Sequence, residues 1–165
     1  MDSLDQFFRS YPSQFKLANL LMRSGIRVSE GRAYCGEIEQ SDSALGRAAG
    51  VDRRVVRTTL DRISSTPELD AVFSKLRPML SMSELAPEIG CSTVVIEPTD
   101  ARIPGILADI TTVLYKAGVS VRQVLVDDSG DREKSGLVIV VDGRIPPETI
   151  PQVRSCRGVS SITIR

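Results

Sequence analysis

From Leu4 to Ile89 the apolar positions recur at intervals of three and four, the period of a helix with one buried face. From Ser92 onward the pattern changes to short apolar runs of strand length that alternate with two helical stretches. The chain therefore reads as α+β: a helical domain over 1–80, a connector over 81–91 and a mixed domain over 92–165. In the first domain, a short helix near Leu4–Arg9 stops before Pro12. A second helix starts on Ser13 as its cap, turns Phe15, Ala18, Leu21 and Met22 inward, and ends at Gly25. Ile26-Arg27-Val28 and Arg32–Cys35 form a small hairpin that turns at Gly31. Thr66 and Pro67 open a further helix with Leu69, Val72, Phe73 and Leu76 on one face, stopped by Pro78. Ser81 and Glu84 make a capping-box pattern before a helical connector that ends at Gly90.

The segment SDSALGRAAGVDRRVVRTTLDRI, Ser41 to Ile63, has the pattern of a helix-turn-helix. Ser41 or Asp42 caps a short helix that carries Leu45 and Ala49 inward. Gly50 ends it with a positive φ, Val51 fills the corner and Asp52 caps the second helix. Val56, Leu60 and Ile63 face the core, and Gly46 lets the two backbones cross closely. On the opposite face Arg53, Arg54, Arg57 and Thr58 occupy the positions from which a recognition helix meets bases and phosphates. Arginine suits that task because its planar fork bonds bidentately to guanine or phosphate. Two other readings stay open: a solvated face with Arg57 paired to Asp61, and a helix pair kept for dimer packing.

The second half reads βαββαβ. A strand over Ser92–Glu97 leads through the loop Pro98–Gly105 into a helix with Ile106, Leu107, Ile110, Val113, Leu114 and Ala117 on one face, ended by Gly118. Strands over Val119–Val126 and Leu137–Val141 are joined by the charged stretch Asp127–Gly136, expected to be exposed and mobile. Pro147 and Glu148 begin a second helix, in which Pro151 is tolerable only within the first four positions. Arg157-Gly158 ends it and Val159–Ile164 is the last strand. Split βαβ units of this length close into a ferredoxin-like antiparallel sheet with both helices on one face. Leu137–Val141 is apolar on both faces, and a partner subunit is the natural cover for the side away from the helices.

Asp100, then Pro104-Gly105-Ile106-Leu107, and later Ala117-Gly118-Val119-Ser120-Val121 resemble the turn and second strand of an ACT domain, over residues 92–165. With the helix-turn-helix before it, the whole chain resembles a family of archaeal predicted regulators of amino-acid metabolism. That resemblance implies a homodimer that binds an amino acid at its interface, beside the glycine turn. The chemistry of the turn agrees. Gly105 admits a ligand close to the backbone, and the N–H groups of Gly105, Ile106 and Leu107 at a helix start suit a carboxylate. Asp100 would take the amino group, with Ser120 and Gln123 as secondary contacts, from the same chain or from the partner subunit. Two departures from the family pattern are plain: Ile103 lengthens the loop between Arg102 and Pro104, and Ser120 stands where Asn is usual.

Composition narrows the chemistry. The chain has 165 residues, no histidine and three cysteines (Cys35, Cys91, Cys156) far apart in sequence. That removes Ser-His-Asp and Cys-His catalysis, leaves no disulfide framework or zinc site, and points to a cytoplasmic protein that is not an enzyme and uses no cofactor. The start, Met1-Asp2-Ser3-Leu4-Asp5, lacks the order of a signal peptide, and no apolar run suits a membrane. Basic and acidic residues balance, 21 against 21, so a DNA partner is supported only by the local arginines. Asp127-Asp128 is a carboxylate pair expected to face water. Two functions are expected in order: an amino-acid-responsive regulator, transcriptional through the helix-turn-helix, or a regulatory subunit that docks onto a biosynthetic enzyme without DNA.

Overall fold

The computed structural model describes residues 6–100, 102–127 and 136–165. The chain divides into two compact units, Met1–Leu80 and Ser81–Arg165.

In the first unit a helical turn over 6–8 precedes helix α1 (Pro12–Arg23). The Pro12 ring presets the helical φ, so α1 starts there, and Ser13 lies inside the helix rather than capping it. Gln14, Leu17, Ala18 and Leu21 form its buried stripe, while Phe15 and Met22 pack at the margin. Strands β1 (Arg27–Ser29), β2 (Arg32–Cys35) and β3 (Ile38–Gln40) form an antiparallel meander. The hairpin turns on Glu30 and Gly31, at φ 50° and 69°, a pair of left-handed residues that matches the twist of two strands. The third strand has no sequence signal, because its one apolar residue, Ile38, is 71% exposed.

Helices α2 (Asp42–Ala49), α3 (Arg53–Ser65) and α4 (Pro67–Phe73) complete the unit. Leu17, Leu21, Leu45, Val56, Leu60, Ile63, Leu69 and Phe73 share one core. Truncating Leu60 to Ala there would cost about 2–5 kcal/mol. Helix α4 ends at Phe73, short of Pro78, and Val72 points outward. Beyond the helix, the backbone of Arg77 and Pro78 lies against Gly25. A Cβ on Gly25, which sits at φ +62, would come within 2.8 Å of Pro78 Cα.

The second unit is the expected βαββαβ sheet: β4 (Cys91–Pro98), α5 (Ile106–Lys116), β5 (Val121–Asp127), β6 (Gly136–Asp142), α6 (Thr149–Arg154) and β7 (Val159–Ile164). All pairings are antiparallel in the order β5-β6-β4-β7, the ferredoxin-like arrangement. Val94, Ile96, Ile139 and Val141 of the sheet meet Ile106, Ile110 and Leu114 of α5 and Val153 of α6. Leu107, expected on the apolar face, is exposed. Val119 and Ser120 precede β5, and Pro147-Glu148 is a turn ahead of α6, which places Pro151 third in that helix. Asp128, and with it the carboxylate-pair reading, lies outside the described residues.

The other face of the sheet is covered in part without a partner. Its first cover comes from the chain itself, by way of the segment before β4. Met82 and the buried Ala86 pack on Cys91 and Val140. Met82 N donates to Gln123 Oε1 (2.8 Å) and Thr93 Oγ1 donates to Ser83 O (2.7 Å). The Ser81–Glu84 capping box does not form: Ser81 and Ser83 hydroxyls pair at 2.9 Å, and a 3-10 turn over Ala86–Ile89 starts without a side-chain cap. The remaining apolar residues on that face, Val95, Leu125 and Val138, stay partly exposed.

Candidate functional site

Two places carry chemistry, one in each unit. In the first, local sequence builds a rigid corner. Ser41 Oγ accepts from Ala44 N at 3.2 Å, Gly50 closes α2 at φ 65°, and Asp52 Oδ1 accepts from Arg54 N at 2.7 Å. A Cβ on Gly46 would lie 2.8 Å from the Val51 carbonyl, so glycine allows this approach of α2 to the turn. With Val56, Leu60 and Ile63 buried, helical geometry turns Arg53, Arg54, Arg57 and Thr58 to the solvent, where all four are exposed.

These four are not equivalent. Arg57 Nη1 stands 3.8 Å from Asp42 Oδ2, and its Nη2 stands 3.5 Å from Asp61 Oδ1. Among the described residues no ion pair engages Arg53 or Arg54. Thr58 Oγ1 donates to Arg54 O at 2.9 Å, keeping its lone pairs for a donor from outside. Beside Arg54 and Thr58 a groove of about 360 Å³ runs along Ser10, Tyr11, Pro12, Ser13, Gln14 and Val55. Arg62 stands 4.2 Å from the ring centre of Tyr11 and donates to Gln14 Oε1 at 3.3 Å, tying two of the lining residues to α3. No sequence signal pairs the start of α1 with α3, since only tertiary packing brings them together.

In the second unit, the residues read as an effector site separate into two groups. Asp100, Gly105, Ile106 and Leu107 gather where β4 hands over to α5. Ser120 and Gln123 stand at the opposite end of the sheet, because Asp142, bonded to Ser120 O at 2.9 Å, pairs with Cys91. Cys91 and Pro98 are seven strand steps apart, roughly 23 Å at about 3.3 Å per residue. One copy of the chain does not bring the two groups together. The Gln123 amide is also occupied, turned to Met82 on the face away from the helices.

At the glycine-turn end, Gly105 takes φ 92° as the cap of α5. The first N–H groups of that helix have no acceptor within it, which makes the end weakly positive. The Asp100 carboxylate already accepts from Arg102, at 3.0 Å from Nε and 2.8 Å from Nη2. Those hydrogen bonds and the charge of Asp100 push the Arg102 pKa up. Two residues not foreseen from the sequence complete the turn. Arg157 Nη2 donates to Pro104 O at 3.2 Å and would lie 3.4 Å from a Cβ on Gly105. Gly158 sits at φ +82 with Ile106 packed on its bare face. Burial, and behind it the charge of Asp109, raises the pKa of the nearby Cys156 thiol. Among the described residues no group of three or more acidic or cysteine side chains could hold a metal ion. No helix among them is long and apolar enough to cross a membrane.

Residues 102–158 match the family model of the ACT domain, a span that contains Gly105, α5, β6 and α6. No curated protein matches the chain. Among solved structures, the regulatory subunit of aspartate kinase from Thermus flavus is 16% identical, covering 46% of this chain and 51% of that one at a TM-score of 0.37. The present chain thus spans about half the length of that subunit. The leucine response regulatory protein of Mycobacterium tuberculosis is 17% identical over 93% of this chain and 90% of its own, at a TM-score of 0.30. An AsnC family transcriptional regulator from Agrobacterium tumefaciens is 12% identical over 93% and 86%, at 0.31.

Proposed function

We propose that this chain is an amino-acid-responsive regulator of amino-acid metabolism: its C-terminal unit senses an amino acid, and its N-terminal unit reads DNA with α3. The observation that carries the reading is the capped corner at Gly50, which projects Arg53, Arg54 and Thr58 to solvent with both guanidiniums outside any ion pair among the described residues. The match to the ACT domain over 102–158 supports the sensing half. The effector's carboxylate would meet the start of α5 beside Gly105, Ile106 and Leu107, and its amino group would compete with Arg102 for Asp100. Ser120 and Gln123 would join that site only from a second copy, so the proposal includes a homodimer. The partly exposed Val95, Leu125 and Val138 supply apolar surface for it. The role is regulatory rather than catalytic.

Thermal-shift measurements of the full chain against the twenty amino acids test the sensor. A ligand at about 100 times its Kd adds roughly 2.7 kcal/mol to the unit that binds it. Asp100→Ala should weaken that response without lowering the basal Tm, because Asp100 and Arg102 lie on an exposed loop. No response to any amino acid would reduce the unit to a dimerisation module. One observation favours a second reading, a regulatory subunit that docks onto a biosynthetic enzyme. The arginine face is diluted by Asp42 and Asp61, as a protein-facing surface would be. Arg53→Ala with Arg54→Ala separates the two: DNA affinity is lost if α3 reads DNA and unchanged if it does not.

A further inference from the structure

The carboxylates around Arg57 suggest a more specific arrangement, which rests on the DNA-reading proposed above. Both terminal nitrogens of Arg57 face acids, Nη1 toward Asp42 at the start of α2 and Nη2 toward Asp61 one turn along α3. Those two nitrogens are the fork that would span guanine O6 and N7 or two phosphate oxygens. The tip of the β1–β2 hairpin forms a third wall. Gly31 N donates to Ser64 Oγ at 2.9 Å, and a Cβ on Gly31 would lie 3.0 Å from Asp61 Oδ1 and 3.3 Å from Arg57 Nη2. The trio sums to one negative charge, one cation against two carboxylates, so as a unit it repels a phosphate. Arg53 and Arg54, in the preceding turn of the same helix, have no such neighbours in any ion pair among the described residues.

We infer that Asp42 and Asp61 hold Arg57 back from DNA, so that Arg53 and Arg54 carry the contact and the two aspartates set its strength. All three side chains of the clamp are partly exposed and neither pair is a hydrogen bond, so the hold is weak and reversible. Releasing Arg57 adds one cation per domain to the contact. For each domain engaged, the slope of log K against log salt then steepens from about −1.8, for two phosphates neutralised, to about −2.7 for three, and a dimer that engages both domains doubles both values.

A double-mutant cycle on the full chain, read by anisotropy of a labelled mixed-sequence DNA duplex, tests this. In the parent, Arg57→Ala should change affinity less than about twofold. Asp42→Asn with Asp61→Asn should tighten binding, and the advantage over the parent should shrink about threefold to fourfold for one domain engaged, or roughly twelvefold for two, when salt rises from 50 to 200 mM. Arg57→Ala in that background should remove the steeper slope. Circular dichroism reports whether each variant is folded, and Asp61→Asn alone gives half of the test if the pair disturbs α2. Equal losses from Arg57→Ala in both backgrounds would overturn the clamp while leaving DNA-reading intact. If neither the parent nor the released variant binds the duplex, DNA-reading fails and the clamp with it.

Discussion

Gly158→Ala is the sharpest test of how the glycine-turn end is built, because two separable penalties meet there. Gly158 sits at φ +82, where an alanine pays about 1–2 kcal/mol for its Cβ. Gly105 sits at φ +92 and would pay the same. The neighbours differ. A Cβ on Gly105 meets only the end of Arg157 at 3.4 Å, an ordinary contact with a movable group. A Cβ on Gly158 would stand 2.8 Å from Ile106 Cδ1 and 2.9 Å from its Cγ1, well inside the 3.5–4.0 Å at which carbons rest, within a packed core. Overpacking of that kind adds about 1–3 kcal/mol, so Gly158→Ala should cost roughly 2–5 kcal/mol against about 1–2 for Gly105→Ala. Ile106→Val removes Cδ1 and should recover about 1 kcal/mol of the Gly158→Ala loss. Because the chain has two units, a single unfolding curve would mix them. Hydrogen exchange of β6 amides in increasing urea reads the second unit alone. Equal costs at the two glycines, or strict additivity with Ile106→Val, would refute this account of how Ile106 and Gly158 meet.

Two further outcomes follow from the second unit. Ala86→Asp places a charge where Met82 and Ala86 cover Cys91 and Val140, and it should lift the segment from the sheet; alkylation of Cys91, measured by mass spectrometry, should then quicken relative to the parent, and an unchanged rate would mean the cover is held elsewhere. Burial and the charge of Asp109 make the folded chain hold the Cys156 proton more tightly than the unfolded chain. The stability this contributes is therefore present below the unfolded thiol pKa and is lost as pH rises through the higher folded value. In a chain with Cys35 and Cys91 replaced by alanine, the alkylation midpoint should lie at higher pH in buffer than in urea.

Local chemistry was legible in the sequence wherever neighbours along the chain decide the structure. Ser41, Gly50 and Asp52 act as caps because each completes hydrogen bonds within four residues of itself. Val56, Leu60 and Ile63 mark the buried stripe of α3 by spacing alone, and the same periodicity, switched to strand length, gives the βαββαβ order. Spacing could not show which groups meet from distant positions. It offered Arg57 either to DNA or to Asp61 one turn along, but could not show that Asp42, from another helix, and the hairpin tip also flank it. It named Ser120 and Gln123 as contacts of the glycine turn without deciding which subunit supplies them, and strand pairing sends the start of β5 to the far end of the sheet of its own chain. It left the second face of β6 to a partner, although the chain covers part of it with Met82 and Ala86. The glycines divide in the same way. A left-handed φ at Gly50 follows from its place after a helix, but at Gly158 the demand beyond its own left-handed φ comes from the packing of Ile106, 52 residues away. Caps and stripes are fixed by covalent geometry over a few residues, whereas charge neutralisation and close packing depend on which surfaces the folded chain presses together.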